Sequence, residues 1–348
     1  MMTRRSAIGY LAPLAGIWLA GCQGANADPD VIPAAASVDP GTRIEEARFL
    51  NVGGIDQWIT IRGDDTRNPV LLVLHGGPGD VQSPHVDTYA AYERDFVLVQ
   101  WDQRGAGKTY GRYREGIPPP TLDQLVTDAI ELAEDLKDRF EGNGVVVLGH
   151  SWGTAIATGA VLRRPDLFSA YVGTGQISSW AESVRWQFDF LKARSEEMGD
   201  QELLRELEAI GEPDPTDTAQ YFGFTRSLRQ HFNASDSAWL ARLRDLPAGL
   251  VSAAELEDIE NGMMFSGRAL LPFQVRENLS TVALTFEVPY YVIQGRDDIS
   301  TPTRPAVAYF ERISAPDKEI VIIDDAGHFA LVTHQEQFIE ALRRLLPS

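Results

Sequence analysis

Cysteine is all but missing from this 348-residue chain: one stands at position 22 and there is no other. An intrachain disulfide is thereby excluded, and so is any metal site built on several thiolates. Basic side chains are the minority, 31 Lys and Arg against 50 Asp and Glu, for a formal net charge of −19. That balance disfavours nucleic acid or an anionic membrane surface as a partner. No internal repeat is found, which argues against a repeat architecture. The apolar run from Ala7 to Ala20 is too short to span a bilayer comfortably. What remains, 44% hydrophobic and 23% charged residues, is the composition of an ordinary soluble enzyme. The length suits one large domain with room for an inserted lid.

The short apolar run follows Arg4 and Arg5 and reads as the core of an export signal. It ends in Leu19-Ala20-Gly21-Cys22, which resembles the lipobox of bacterial lipoproteins. That resemblance implies a signal peptide over residues 1–21 and lipidation of Cys22 as the first mature residue. The arginine pair is also similar to a twin-arginine export signal. Gln23 after the cysteine implies, in a Gram-negative cell, the outer membrane facing the periplasm. The expected location is therefore the bacterial cell envelope, with the membrane reached only through the lipid. Residues 22–44, rich in Ala, Pro and Asp, are expected to be a flexible tether.

The most informative stretch lies near the middle. The apolar run Gly144–Leu148 leads into Gly149-His150-Ser151-Trp152-Gly153, and a small-residue helical pattern follows from Thr154 to about Leu162. A strand, a sharp turn and a helix put Ser151 at the tip of the turn. The two glycines let strand and helix pass closely, and the helix aims its positive end at the serine. Upstream, Ala47–Val52 and Ile55–Arg62 alternate about Gly53-Gly54, the pattern of an antiparallel hairpin. Pro69–Leu74 is apolar almost throughout, as a strand buried on both faces would be, and it runs into His75-Gly76-Gly77-Pro78-Gly79. Backbone N–H groups of such a loop can turn toward an oxyanion, while His75 is better read as shaping the loop than as a base. Asp95–Trp101 is a second buried strand, followed by Asp102-Gln103-Arg104-Gly105-Ala106-Gly107-Lys108-Thr109. A phosphate-binding loop is excluded here because Asp102 stands where that motif needs its first glycine. Asp102 and Arg104 are instead expected to pin the loop. Thr121–Phe140 is an amphipathic helix with Leu122, Leu125, Ala129, Leu132 and Leu136 on one face. Strand and helix in alternation imply a mostly parallel α/β sheet.

The glycine loop, Trp101–Gly107 and the serine motif together resemble the proline iminopeptidases. These are serine aminopeptidases of the α/β-hydrolase fold that release an N-terminal residue, typically proline. The resemblance covers a hydrolase core of residues 45–178 and 286–348. Ser169–Gln176 reads as the next strand. Helical patterns then fill Trp180–Met198, Gln201–Ile210, Thr216–Phe232, Ser237–Leu246 and Ala253–Met264, so residues 179–285 are expected to be a helical cap. The sheet resumes at Val288–Ile293, before Gln294-Gly295-Arg296-Asp297-Asp298, and Glu319–Ile323 is the last strand. His328 follows on a loop, ahead of a closing helix over Thr333–Leu346 that contains His334.

The order Ser151, acid, His328 is that of α/β-hydrolases. The family pattern Gly-x-x-Asp selects Asp298 as the acid, with Asp297 as the structural alternative. The resemblance implies Ser151 as nucleophile, His328 as base, Asp298 as its orienter, and the N–H groups of Gly77 and Trp152 as an oxyanion hole. It implies no metal or organic cofactor. Activity is then expected to rise with pH through an apparent pKa of about 7. An aminopeptidase must also neutralise its substrate's ammonium, and Glu182 is the candidate carboxylate. Aromatics such as Phe188, Tyr221, Phe222 and Phe224 fit either a proline-sized pocket or core packing. Three functions stay open: release of an N-terminal residue from a small peptide, hydrolysis of an ester, lactone or non-peptide amide by the same triad, and catalytically silent binding. An aspartate nucleophile, as in epoxide hydrolases, is disfavoured by Ser151.

Overall fold

The computed structural model describes residues 38–244, 250–276 and 283–346. Cys22, the expected signal peptide and most of the expected tether lie outside them. The described chain opens with the expected hairpin, β1 (Ile44–Val52) and β2 (Ile55–Gly63), turned at Gly53 and Gly54, both at positive φ. β3 (Val70–Leu74), β4 (Val97–Asp102), β5 (Val145–His150), β6 (Phe168–Thr174), β7 (Tyr290–Gly295) and β8 (Lys318–Ile323) complete one eight-stranded sheet in the order β1-β2-β4-β3-β5-β6-β7-β8. The first two pairings in that order are antiparallel and the rest parallel.

Burial on both faces explains why the central strands carry unbroken apolar runs. In β3, Val70, Leu72 and Leu74 join one core, while Leu71 and Val73 join the other. Among the helices, a four-residue α1 (Val86–Tyr89) and α2 (Gly107–Tyr113) precede α3 (Leu122–Arg139) and α4 (Trp152–Arg163). α3 and α4 cover the first core through Leu125, Ala129, Leu132, Leu136, Ile156 and Ala160. Between β6 and β7 the described residues hold α5 (Trp180–Met198), α6 (Gln201–Ile210), α7 (Thr218–Leu228), α8 (Ala234–Arg244) and α9 (Ala253–Arg276), and no strand. Three of these helices share a third apolar cluster that includes Val184, Phe188, Leu191, Leu207 and Phe224. α10 (Thr303–Arg312), α11 (Ala330–Thr333) and α12 (Gln335–Leu345) close the fold, α12 covering the second core through Phe338, Ile339 and Leu342.

Four local expectations need correction. α2 occupies a stretch expected to be loop; Thr109 Oγ1 donates to the Asp102 carbonyl and Asp102 Oδ2 accepts the Lys108 N–H, so the strand's last residue anchors the helix's first turn. α9 does not end at Met264 but runs through Pro272 to Arg276. α7 ends at Leu228, with the chain going on as a single 3₁₀ turn, Arg229–His231. The closing helix is two helices, parted at His334, whose φ of −131° is not helical.

Arg104 does pin the loop. Its guanidinium spans both oxygens of the buried Asp128 at 2.9 and 3.1 Å and donates to the Gly53 carbonyl at 2.8 Å. Gln57 and Gln124 donate to the same carboxylate at 2.8 Å. Arg104→Ala leaves that charge buried without its cation, so chemical denaturation is expected to show a loss of about 3 kcal/mol. A loss under about 1 kcal/mol would mean that the two amides suffice.

Candidate active site

Ser151 is held where the sheet's central strand turns into α4. Its φ of 52° and ψ of −121° are strained for a residue with a Cβ. The strain is imposed from several sides. Its N–H donates to the Thr174 carbonyl on β6 at 2.9 Å, and its carbonyl accepts from Thr154 N and Oγ1 at 2.9 and 2.7 Å. A Cβ on Gly149 would lie 2.7 Å from Thr154 Cα, and one on Gly153 would overlap the Leu74 carbonyl. Both glycines are therefore required by the crossing of strand and helix.

The glycine loop leans on this turn: a Cβ on Gly76 would be 2.9 Å from Ser151 Cβ. Gly77 has a φ of +110°, which favours glycine, and the turn closes through Asp80 N to the Gly76 carbonyl at 3.1 Å. The N–H groups of Gly77 and Trp152 have no hydrogen-bond partner among the described residues. His75 is buried, its Nε2 accepting the Gln103 N–H at 3.3 Å, and burial pushes it down to about 4. It is neutral and shapes the loop, as expected.

Asp298 and His328 meet across the ends of β7 and β8, with Nδ1 to Oδ2 at 2.9 Å and exposures of 2% and 7%. The carboxylate is saturated with donors. Ser300 N and Thr301 N bind Oδ1 at 2.8 and 2.9 Å, and Thr301 Oγ1 and Gln294 Nε2 bind Oδ2 at 2.8 and 2.9 Å. Burial alone would raise the Asp298 carboxyl, but His328 and the Thr301 donors bring it below the usual carboxylate range. For His328, burial opposes the imidazolium, yet Asp298, then Asp236 and Asp80, raise it above an ordinary histidine. Asp297 is exposed and contributes its N–H to the Ala326 carbonyl at 2.8 Å, so geometry separates the two neighbouring aspartates. The hydrogen bond between Ser151 Oγ and His328 is not made among the described residues, an arrangement common before substrate binds.

Three features near His328 had no signal in the motifs. His150 stacks obliquely on it, ring centroids 4.9 Å apart, and its Nε2 lies 3.1 Å from the His328 carbonyl. Burial, then the charge on His328, push His150 down to about 3, so the neutral ring donates from Nε2 to that carbonyl. Asp236, on α8, accepts the N–H groups of His328 and Phe329 at 2.6 and 3.2 Å. Asp80, directly after the glycine loop, is a half-buried acid whose charge acts on His328; burial pushes it up to about 6. A residue spacing alone cannot show which side chains fold over from other elements.

Glu182 lies in the first turn of α5 and is exposed. Phe188 and Phe224 are buried against one another, centroids 5.7 Å apart, and Tyr221 packs on Trp180, so these rings are core. His334 is tied to Thr333 Oγ1 at 3.0 Å between the last two helices. Lys108 pairs with Glu255 of α9 at 2.9 Å, which occupies the cation that a phosphate loop would need.

A family model described as "Alpha/beta hydrolase family" matches residues 70–341. Among curated proteins, the probable aminopeptidase YbaC of Bacillus subtilis is 28% identical over 302 residues, covering 85% of this chain and 94% of that protein. A proline iminopeptidase of Saccharolobus solfataricus is 22% identical over 316 residues, 86% and 92% of the two chains. A proline iminopeptidase-related protein of Thermus thermophilus superposes with a TM-score of 0.56 at 22% identity, covering 87% of this chain and 99% of that one. Esterases and epoxide hydrolases are also among the solved structures with this fold.

Proposed function

The chain belongs to the alpha/beta hydrolase family, and from that premise we propose that it is a serine aminopeptidase releasing an N-terminal residue, proline above all, from small peptides. The observation that carries the hydrolytic half of this reading is the buried Asp298–His328 pair, packed on His150, together with the strained Ser151 that follows His150 in the chain. In the proposed reaction His328 takes the Ser151 proton as Oγ attacks the scissile carbonyl. The N–H groups of Gly77 and Trp152 receive the oxyanion, and the imidazolium then protonates the departing amine. Water repeats the sequence on the acyl-enzyme, with His328 again as base.

The choice of a peptide with a free amine rests on the named relatives and on Asp80. That carboxylate is half-buried, one turn from Gly76, and ionised at neutral pH, so it can face the ammonium of a residue whose carbonyl reaches Ser151. Glu182, exposed on α5, suits that role less well. Export to the cell envelope on a lipidated Cys22 completes the proposal; a Cys22→Ser variant that still partitions with membranes would contradict it.

Proline β-naphthylamide, N-acetyl-proline β-naphthylamide and p-nitrophenyl acetate test the reading side by side. Turnover of the free-amine amide alone is expected. Turnover of the ester alone would keep the triad and make the enzyme an esterase. In Asp80→Asn the ratio of free-amine turnover to the rate of fluorophosphonate labelling is expected to fall by about 30-fold, the worth of one charge-assisted hydrogen bond of about 2 kcal/mol. An unchanged ratio would remove Asp80 from recognition.

A further inference from the structure

The loop that carries His328 is held through its backbone by two other segments. Its carbonyl receives His150 Nε2 from the serine turn at 3.1 Å, and its N–H goes to Asp236 at 2.6 Å. Asp236 belongs to a different body of structure. It sits in the first turn of α8, is 1% exposed, and its second oxygen takes the Phe329 N–H at 3.2 Å.

The local sequence hides this role. Asn233 caps α8, its Oδ1 accepting the Asp236 N–H at 2.9 Å. A Glu or Gln three residues after a helix cap ordinarily folds back on the cap's own N–H, and the shorter Asp236 stands at that position. Here it reaches across to the base's loop, and Asn233 Nδ2 goes the same way, to the Asp325 carbonyl at 3.0 Å. Gly327 is the complementary cut: a Cβ there would overlap the Asp236 carboxylate. Trp239, one turn further along α8, packs on His85 of the segment after the glycine loop, centroids 5.1 Å apart. One helix thus touches both the loop of the base and the segment that follows the proposed oxyanion loop.

We propose that Asp236 is a positioning residue, through which the seating of α8 fixes the backbone of His328 and so aims the imidazole at Ser151. This rests on His328 being the base. The charged or titratable groups around that ring are Asp298 from the loop after β7, Asp236 from α8, Asp80 from the glycine loop and His150 from the end of β5. Removing the negative charge of Asp236 therefore lowers the affinity of His328 for its proton, besides loosening its backbone.

The test reads the serine directly, without assuming a substrate. The rate of covalent labelling of the full chain by a fluorophosphonate is measured from pH 5 to 9 for wild type, Asp236→Asn, Gly327→Ala, Asp236→Ala and the double variant Asp236→Ala/Gly327→Ala. Asp236→Asn is expected to label about 10- to 100-fold more slowly on the alkaline plateau, the scale of a misplaced catalytic group. Its acid limb is expected to move to lower pH, which a merely structural loss would not produce. Gly327→Ala is expected to slow labelling similarly in the parent chain and to have little further effect in Asp236→Ala, where the added methyl has room. Labelling in Asp236→Asn with an unmoved acid limb and a rate within twofold of wild type would overturn the proposal. So would additive losses in the double variant. Absence of labelling in wild type, or labelling that survives Ser151→Ala, would instead overturn the assignment of nucleophile and base, and this proposal with it.

Discussion

Ser151→Ala is expected to lower kcat for proline β-naphthylamide by about 10⁴-fold or more, with no measurable fluorophosphonate labelling. Nothing remaining in the site can form the acyl-enzyme. His150, the nearest other titratable ring, is buried and neutral, with Nε2 committed to the His328 carbonyl. The same position offers a second readout. Ser151 holds a φ of 52° that glycine adopts freely, and its hydroxyl has no hydrogen-bond partner among the described residues. Ser151→Gly is therefore expected to be inactive yet more stable, by about 1 kcal/mol, because relief of strain outweighs the added freedom of the unfolded chain. A destabilised Ser151→Gly, measured by urea unfolding, would mean that the turn is not strained.

Asp298→Asn is expected to cost about 10⁴-fold in kcat, since an amide facing Nδ1 favours the tautomer that cannot take the serine proton. The pH dependence sharpens the test. His328 must be neutral to act as base, and the surrounding carboxylates raise its affinity for a proton. Wild-type kcat/KM should therefore rise with pH through a limb above the ordinary histidine value. In Asp298→Asn the largest of those charges is gone, so the residual activity should show its limb at lower pH. A flat wild-type profile between pH 5 and 9 would remove His328 as the base. The pair also links pH to folding. The depressed Asp298 contributes stability above the usual carboxylate range that is lost as pH falls through its folded value. The raised His328 contributes stability below the usual histidine value that is lost as pH rises through its folded value.

What the residues alone determined were features enforced over a few positions. Gly149 and Gly153 flank Ser151 because strand and helix must cross without a Cβ between them, and a five-residue pattern is enough to reveal that. Val70–Leu74 could be read as doubly buried because apolar continuity is itself the signature of two cores. The chain order Ser151, Asp298, His328 was legible for the same reason, each of the three residues following the end of a strand. The tertiary structure decided what depends on groups distant in sequence. Asp298 rather than Asp297 faces His328 because the turn after β7 buries one carboxylate among Gln294 and Thr301 and leaves the other outside. Asp236 has the local grammar of a helix cap, and only the arrival of residues 327–329 beside α8, 92 positions away, turns it toward His328. α9 outran its expected end because packing holds its later turns: Ser266 Oγ donates to the Gly105 carbonyl at 2.8 Å, Leu270 is buried in the first core, and Ala269 and Phe273 pack against it. Short-range steric demands are written in neighbouring residues, whereas a hydrogen bond between distant segments exists only once the sheet has brought them together.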